Sequence, residues 1–327
     1  MSVRLFDWRD LPALYNYRNK SVFLHSSLVL TRGSWTISGA LLSSFAPTAG
    51  ISTYVSVDNG DTDHKLIGQT IQTPGSQIAQ LTFLAPEEAL DSGALPGLLE
   101  YLSGQAISGG AFRLLADVEE GTMVFDALRV VGFAIYARQR IWQLVGSPSA
   151  EPTGVTWRTA TDRDVIAIRS LYNNLMPGLV QQVEPFLADR LSGLVHYQEG
   201  TLLGYVELKY GHRGVWVQPF IHPDAEHVAD GVIDLVQNLP RRLSRPLYIC
   251  VRSYQSWLEP RVEELGAKPG PRQALMVKHL AIPKKAVRSY ALPAIEGGRP
   301  EVTTPITQKQ NSNPQAAQSI VAGPENS

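Results

Sequence analysis

Residues Val215 to Leu280 alternate short apolar runs with helical segments, and the same alternation occurs earlier in the chain. Val-Trp-Val-Gln-Pro-Phe-Ile, from Val215, leads into a helical segment ending at Pro240. A short strand over Leu247–Arg252 follows, then a helix ending at Gly266, then a strand around Arg272–Leu280. Two short apolar strands joined by a helix predict a right-handed crossover within one sheet. The hand-over from first strand to helix, Ile221 to Gly231, is a natural anion site. Free N–H groups of the first helical turn point outward there, and the helix dipole adds positive charge. The earlier copy matches phrase by phrase. Arg138-Gln139 after Gly132 answers Arg272-Gln273 after Gly266, and Arg113–Ala116 answers Leu247–Cys250. Leu98–Leu102 answers Val232–Val236, and Arg4…Arg9-Asp10-Leu11 answers Arg158…Arg163-Asp164-Val165. Such order at near-constant spacing predicts two copies of one domain.

The copies take residues 1–145 and 155–282, joined by a Gly/Pro/Ser linker at 146–154. In the first copy the pattern predicts a strand at Val3–Phe6 and a helix over Leu11–Arg18 capped by Asp7 or Asp10. Ser26–Leu30 and Ser34–Ile37 read as strand-like pieces. A hairpin of Ile51–Val57 with His64–Ile71 and a strand at Gln77–Leu84 follow. A helix near Leu95–Ile107, a strand at Phe112–Val118, a helix ended by Gly132 and a strand at Tyr136–Leu144 complete it. In the second copy Asp162 is the expected N-cap of a helix reaching Asn174. Leu194–Tyr197 and Leu202–Tyr210 form a hairpin whose second arm puts Tyr205, Glu207 and Lys209 on one face. Ser256 and Glu259 have the spacing of a capping box. Residues 283–327 are rich in Pro, Gln, Asn, Ser and Thr; too few apolar groups offset the ordering entropy, so a disordered tail is expected.

The 327 residues suffice for two domains, and a 44% hydrophobic, 18% charged composition fits a soluble globular protein. A net charge of −1 gives no global pull toward nucleic acid or anionic membrane. No apolar stretch approaches the ~20 residues of a membrane helix. The N-terminus lacks the apolar core of a secretory signal, and the single cysteine, Cys250, fits a reducing compartment; a cytoplasmic protein is expected.

Each half resembles an acyltransferase of the GNAT family, the Gcn5-related N-acetyltransferases. The resemblance rests on element order and on local phrases: Leu128–Phe133 with Arg138-Gln139, and Val251-Arg252 with Glu264-Leu265-Gly266 and Gln273–Val277. It implies an α/β fold of two tandem GNAT-like domains. Each is a mixed, mostly antiparallel sheet that splays in the middle and is flanked by helices. It also implies acetyl-CoA as co-substrate, lying in the splay with its pyrophosphate on the helix N-terminus. An amine attacks the thioester while a base removes the amine proton and an acid protonates the leaving thiolate.

Laid on the second copy, the family's pyrophosphate loop starts at Pro223 and runs Glu226-His227-Val228-Ala229-Asp230-Gly231. Ile221, Pro223, Glu226, Ala229 and Gly231 are therefore the cofactor-binding candidates. Glu226 puts an anion where the family has Arg or Gln, and Asp224 and Asp230 add negative charge. The first copy, from Pro86, also lacks a basic donor. The family's acid, a tyrosine in the last helix, is replaced by Leu128 and Val262; Tyr254 is the substitute candidate. Glu207, on a strand of the half that usually faces the acceptor, is the candidate base, and His222, which follows the strand Val215–Ile221, is a second candidate. No Cys/His spacing points to a metal. The expected reaction is N-acetylation of a small-molecule or peptide amine, with the second copy as the active half. The alternative is a degenerate pair that binds a ligand or protein. The two copies can pack as an internal pseudo-dimer.

Overall fold

The computed structural model describes residues 2–34, 50–58, 61–91, 93–146, 154–186, 191–225, 231–237, 239 and 245–280. The strand-like 34–37 piece beyond Ser34, the hairpin tip Asn59-Gly60, most of the linker, Glu226, Ala229 and the 283–327 tail lie outside the described residues.

Both copies begin with the same polar knot. Strand β1 (Ser2–Leu5) carries Arg4, which donates to both oxygens of buried Asp10 at 2.7 Å. The same carboxylate accepts from the N–H of Asp7, which in turn caps the turn leading into helix α1 (Leu11–Asn16). In the second copy Arg158, on β8 (Arg158–Thr159), grips Asp164 at 2.6 and 2.8 Å. Asp164 also accepts from the N–H and hydroxyl of Thr161. The repeated Arg…Arg-Asp phrase is thus an ion pair that closes a capping box. Thr161, rather than Asp162, is the cap of the turn that leads into α5 (Val165–Leu175).

The remaining first-copy elements are β2 (Val22–Phe23), α2 (Ser26–Arg32), β3 (Ile51–Asp58), β4 (Asp61–Ile71), β5 (Ile78–Ala85), α3 (Ala94–Ser108), β6 (Arg113–Glu119), α4 (Met123–Val130) and β7 (Ala134–Leu144). Those of the second are α6 (Gly178–Val183), β9 (Gly193–Gln198), β10 (Thr201–Tyr210), β11 (Val215–Ile221), α7 (Val232–Gln237), β12 (Leu247–Arg252), α8 (Glu259–Glu264) and β13 (Lys268–His279). Ser26–Leu30 is helical where its β-branched and apolar content predicts a strand. Its face packs on β10 and β11, and Asp117 holds its first N–H, so tertiary contacts override local preference. Leu95, Leu98, Leu99 and Leu102 form the buried face of α3, which lies on β3 and β4. Gly68 admits that approach: a Cβ there would stand 2.9 Å from Leu102 Cδ1.

One sheet runs through both copies in the order β1-β3-β4-β5-β6-β13-β7-β12-β11-β10-β9-β8, with β2 beside β5. The order has a consequence that element order alone does not give: the copies exchange closing strands. β13, from the second copy, pairs with β6 of the first; β7, from the first, pairs with β12 of the second. At the centre β7 and β13 pair with each other, placing Gln139 opposite Gln273 and Arg140 opposite Arg272. Gln139 and Gln273 are equivalent positions of the repeat, and Gln139 Nε2 donates to Gln273 Oε1 at 2.9 Å. Equivalent residues that meet each other mark a twofold relation. Contacts hold Met1–Pro283 together as one compact unit.

Each copy also splays. The parallel neighbours β5 and β6 pair only over Ile78–Gln80 with Arg113–Leu115. β11 and β12 pair only over Val215–Val217 with Leu247–Ile249. Beyond those three residues each pair parts, leaving a gap.

Candidate functional site

The two gaps have different contents. In the first, the chain's own Val22–Ser26 enters as an extra strand. Leu24 N–H donates to the Thr82 carbonyl at 2.8 Å on one side, and Asp117 N–H donates to the Leu24 carbonyl at 2.9 Å on the other. Gln80 Nε2 adds a bond to the same carbonyl, Ser26 N–H donates to Asp117 Oδ2, and Leu24 is fully buried. Backbone bridges the parted edges at Leu24, and beyond that bridge a smaller cavity of about 280 Å³ lies between Ser21–Phe23 and Asp117–Glu119.

The second gap opens into a cavity of about 380 Å³. Gln218 and Phe220 of β11 and Arg252 at the end of β12 border it. Tyr205, Glu207 and Lys209 reach it together from one face of β10, as strand alternation requires. Tyr172 comes from α5, Met176 from the residue that caps its C-terminus, and Glu184 and Phe186 from the segment after α6. The first copy closes the far side with His25, Gln80, Asp117 and Gln139. Tyr172, Phe186, Phe220 and Tyr205 form a chain of ring contacts with centroids 5.6 to 5.9 Å apart.

Glu184 anchors the charged part of the cavity. It accepts from the Tyr136 hydroxyl and from Arg252 NH2 at 3.1 Å, while its backbone carbonyl accepts from the Tyr172 hydroxyl. Burial opposes the Arg252 charge, yet Glu184 and its neighbours hold the guanidinium well above its ordinary value. Nε and NH1 of Arg252, Nε1 of Trp216 and Nδ1 of His25 are buried and have no partner among the described residues. Burial pushes the His25 imidazole down to about 3, with Lys209 adding to the effect, so it is neutral at physiological pH. Burial raises the Asp117 carboxyl.

Of the described residues expected from the sequence, Glu207 alone lines the cavity, 3.5 Å from Lys209. Tyr254 lies in the turn after β12 and packs against the same aromatic cluster. Its hydroxyl is buried without a partner among the described residues, and burial raises its pKa. His222 stands past the end of β11, facing Asp224 at 3.6 Å, outside the cavity wall. Ile221 is buried and its carbonyl accepts from Gln255 Nε2 at 3.2 Å. Pro223 follows in a turn. Gly231 faces Val155: a Cβ would stand 2.6 Å from that side chain, and the Gly231 carbonyl accepts from Trp157 Nε1. Asp234 in the first turn of α7 accepts from Gly154 and Val155 N–H. The Ser256–Glu259 capping box does not form. Ser256 sits inside the turn Ser253–Leu258, and Leu258, which has no capping side chain, takes the N-cap position of α8.

Acetyl-CoA fits these surroundings in part. The border of the second gap leaves room for an acyl arm. The strand edge itself is poor in donors: Val215 N–H points to the β12 side, so Pro219 shares that edge and brings no N–H. The expected pyrophosphate end does not fit at Gly231, which is packed against Val155 beside the Asp234 carboxylate. Among the described residues no cluster of three or more His, Cys, Asp or Glu could hold a metal, and no helix is long and apolar enough to cross a membrane.

The sequence reading missed Glu184, Arg252, Asp117 and His25. An arginine closing the apolar strand Leu-Tyr-Ile-Cys-Val is a signal it could have used, since a buried cation demands a partner.

No family model matches the sequence, and no curated protein does. Solved structures do. A Gcn5-related N-acetyltransferase from Sphaerobacter thermophilus is 13% identical, with 85% of this chain and 95% of that chain covered at a TM-score of 0.53. A tandem GNAT protein from the clavulanic acid biosynthesis pathway is 17% identical, covering 84% of this chain and 94% of that chain at 0.49. The first likeness gives this chain the GNAT fold, here as two copies.

Proposed function

We propose that the protein is an acyl-CoA-dependent N-acyltransferase with one working gap, in the second copy, and that the central cavity receives the amine acceptor. One observation carries the reading: the first gap is filled by Leu24, whereas the second opens into a cavity bearing a reachable carboxylate, Glu207. Bound acetyl-CoA would supply the thioester carbonyl that the amine attacks. Gln218 and Phe220 would border its arm. Glu207 removes the proton from the acceptor ammonium, and its 29% side-chain exposure lets it exchange that proton with solvent. Tyr254 does not line the cavity and burial raises its pKa, so the leaving thiolate takes its proton from solvent.

A second reading, a ligand-binding module without transfer, is favoured by three features. Pro219 lacks a donor, the Ile221 carbonyl is already taken by Gln255, and Gly231 meets Val155 where a pyrophosphate would lie. Thiol release from acetyl-CoA in the presence of amine panels separates the two. The transferase reading expects acceptor-dependent release that Glu207→Gln lowers by about 10²-fold or more. Amine binding with no thiol release would replace it with the second reading.

A further inference from the structure

The cavity between the copies is lined by residues with buried donors that have no partner among the described residues. Arg252 is 7% exposed and Trp216 3%, and both line the cavity. Glu184 takes NH2 of Arg252, leaving Nε and NH1; Trp216 Nε1 has no partner either. Buried donors left unmade are costly, and a ligand acceptor removes that cost. The charges limit what the ligand can be. Asp117, Glu184 and Glu207 face Arg252 and Lys209, with His25 neutral, so the wall carries more carboxylates than cations. A plain anion would meet that excess. A plain cation would be welcomed by Glu207 but would leave Arg252 and Trp216 unanswered. A molecule carrying both groups satisfies each end without changing the net charge. The ring contacts among Tyr172, Phe186, Phe220 and Tyr205 supply an apolar wall for a side chain carried beside the two charged groups. The volume, about 380 Å³, lies within the ordinary range for small-molecule pockets.

We infer that the cavity binds a zwitterionic aromatic amino acid, its carboxylate on Arg252 and Trp216 Nε1 and its ammonium toward Glu207. The direction of the ammonium rests on reading the cavity as the acceptor site; the binding itself does not require that any acyl group be transferred.

The test is calorimetric titration of the full chain, without acyl donor, using three probes of one shape: phenylalanine, phenethylamine and 3-phenylpropionate. Phenylalanine is expected to bind at least tenfold tighter than either partial analogue. Arg252→Gln should erase its advantage over phenethylamine. Because that change strands Glu184, Trp216→Phe serves as the milder variant. It should weaken phenylalanine severalfold and leave phenethylamine unchanged. Equal binding of phenethylamine and phenylalanine by the unmodified protein overturns the inference. So does an absence of binding by all three at millimolar concentration. Tight phenylalanine binding with no thiol release from acetyl-CoA would sink the transferase reading and leave this one standing.

Discussion

The same gap, built twice, is bridged by backbone in one copy and left unbridged in the other. In the first, Leu24 bonds to Thr82 and Asp117 and behaves as one more strand of the sheet. In the second, the corresponding space is bordered by Gln218, Phe220 and Arg252 and continues into a charged, aromatic cavity. A splayed pair of parallel strands exposes unpaired backbone groups, and those groups must be satisfied by something. The first copy satisfies them with its own backbone and gains a stable core. The second answers the Ile221 carbonyl with a side chain, Gln255 Nε2, and keeps volume for a ligand.

This contrast can be broken from either side. The largest loss is expected from Glu184→Ala, which leaves Arg252 buried and uncompensated. Urea denaturation should show about 3–5 kcal/mol of destabilisation, and a change below ~1 kcal/mol would mean the pair does not organise the cavity. Leu24→Ala, in the sealed gap, should cost about 2–5 kcal/mol by the same assay. Gln218→Ala, in the open gap, should cost less than ~1 kcal/mol, and equal costs for these two would erase the distinction. Gln139→Ala breaks the bond across the twofold and orphans the Cys250 thiol that donates to Gln139 Oε1; about 1–3 kcal/mol is expected.

The smallest effect concerns what the copies share. Arg158 holds the Asp164 carboxyl below the ordinary carboxylate range; for Asp10, burial works upward but Arg4 and Lys65 outweigh it and the net shift is also down. A depressed carboxyl is protonated in the unfolded chain first as pH falls. Its stabilisation is therefore complete above the unfolded value, about 3.9, and is lost as pH drops from there through the folded value. Asp164→Asn should remove part of the acid sensitivity below about pH 4, worth no more than about 1 kcal/mol because Arg158 is exposed. A pH-stability profile identical to that of the unmodified protein would show that the knot contributes nothing.

Much of the fold was legible because local and repeated signals agreed. The strand over Leu247–Arg252, the helix stops at Gly132 and Gly266 and the hairpin of β9 with β10 all follow from short-range chemistry. The repeated Arg138-Gln139 and Arg272-Gln273 were legible as copies, but not as partners. Which sheet a closing strand joins is decided by long-range pairing, and the periodicity of β7 and β13 is the same for either choice. Val22–Phe23 is too short to announce itself as the strand that seals a gap, and Ser26–Leu30 carries strand-forming residues into a helix. The cavity was least legible. Its charged groups, Asp117, Glu184, Glu207, Lys209 and Arg252, come from four separated segments, and only Glu207 and Lys209 stood out, on one alternating face.

The most direct measurement is the stoichiometry and location of acetyl-CoA binding. Calorimetric titration of the full chain is expected to give one molecule per chain, abolished by Gln218→Trp, which fills the second gap, and unchanged by Leu28→Ala on the first copy's helix α2. Two molecules per chain, or one that survives Gln218→Trp, would contradict the account, because a ligand would then occupy the gap that Leu24 closes. No binding at all would remove the transferase and leave the open gap to another ligand.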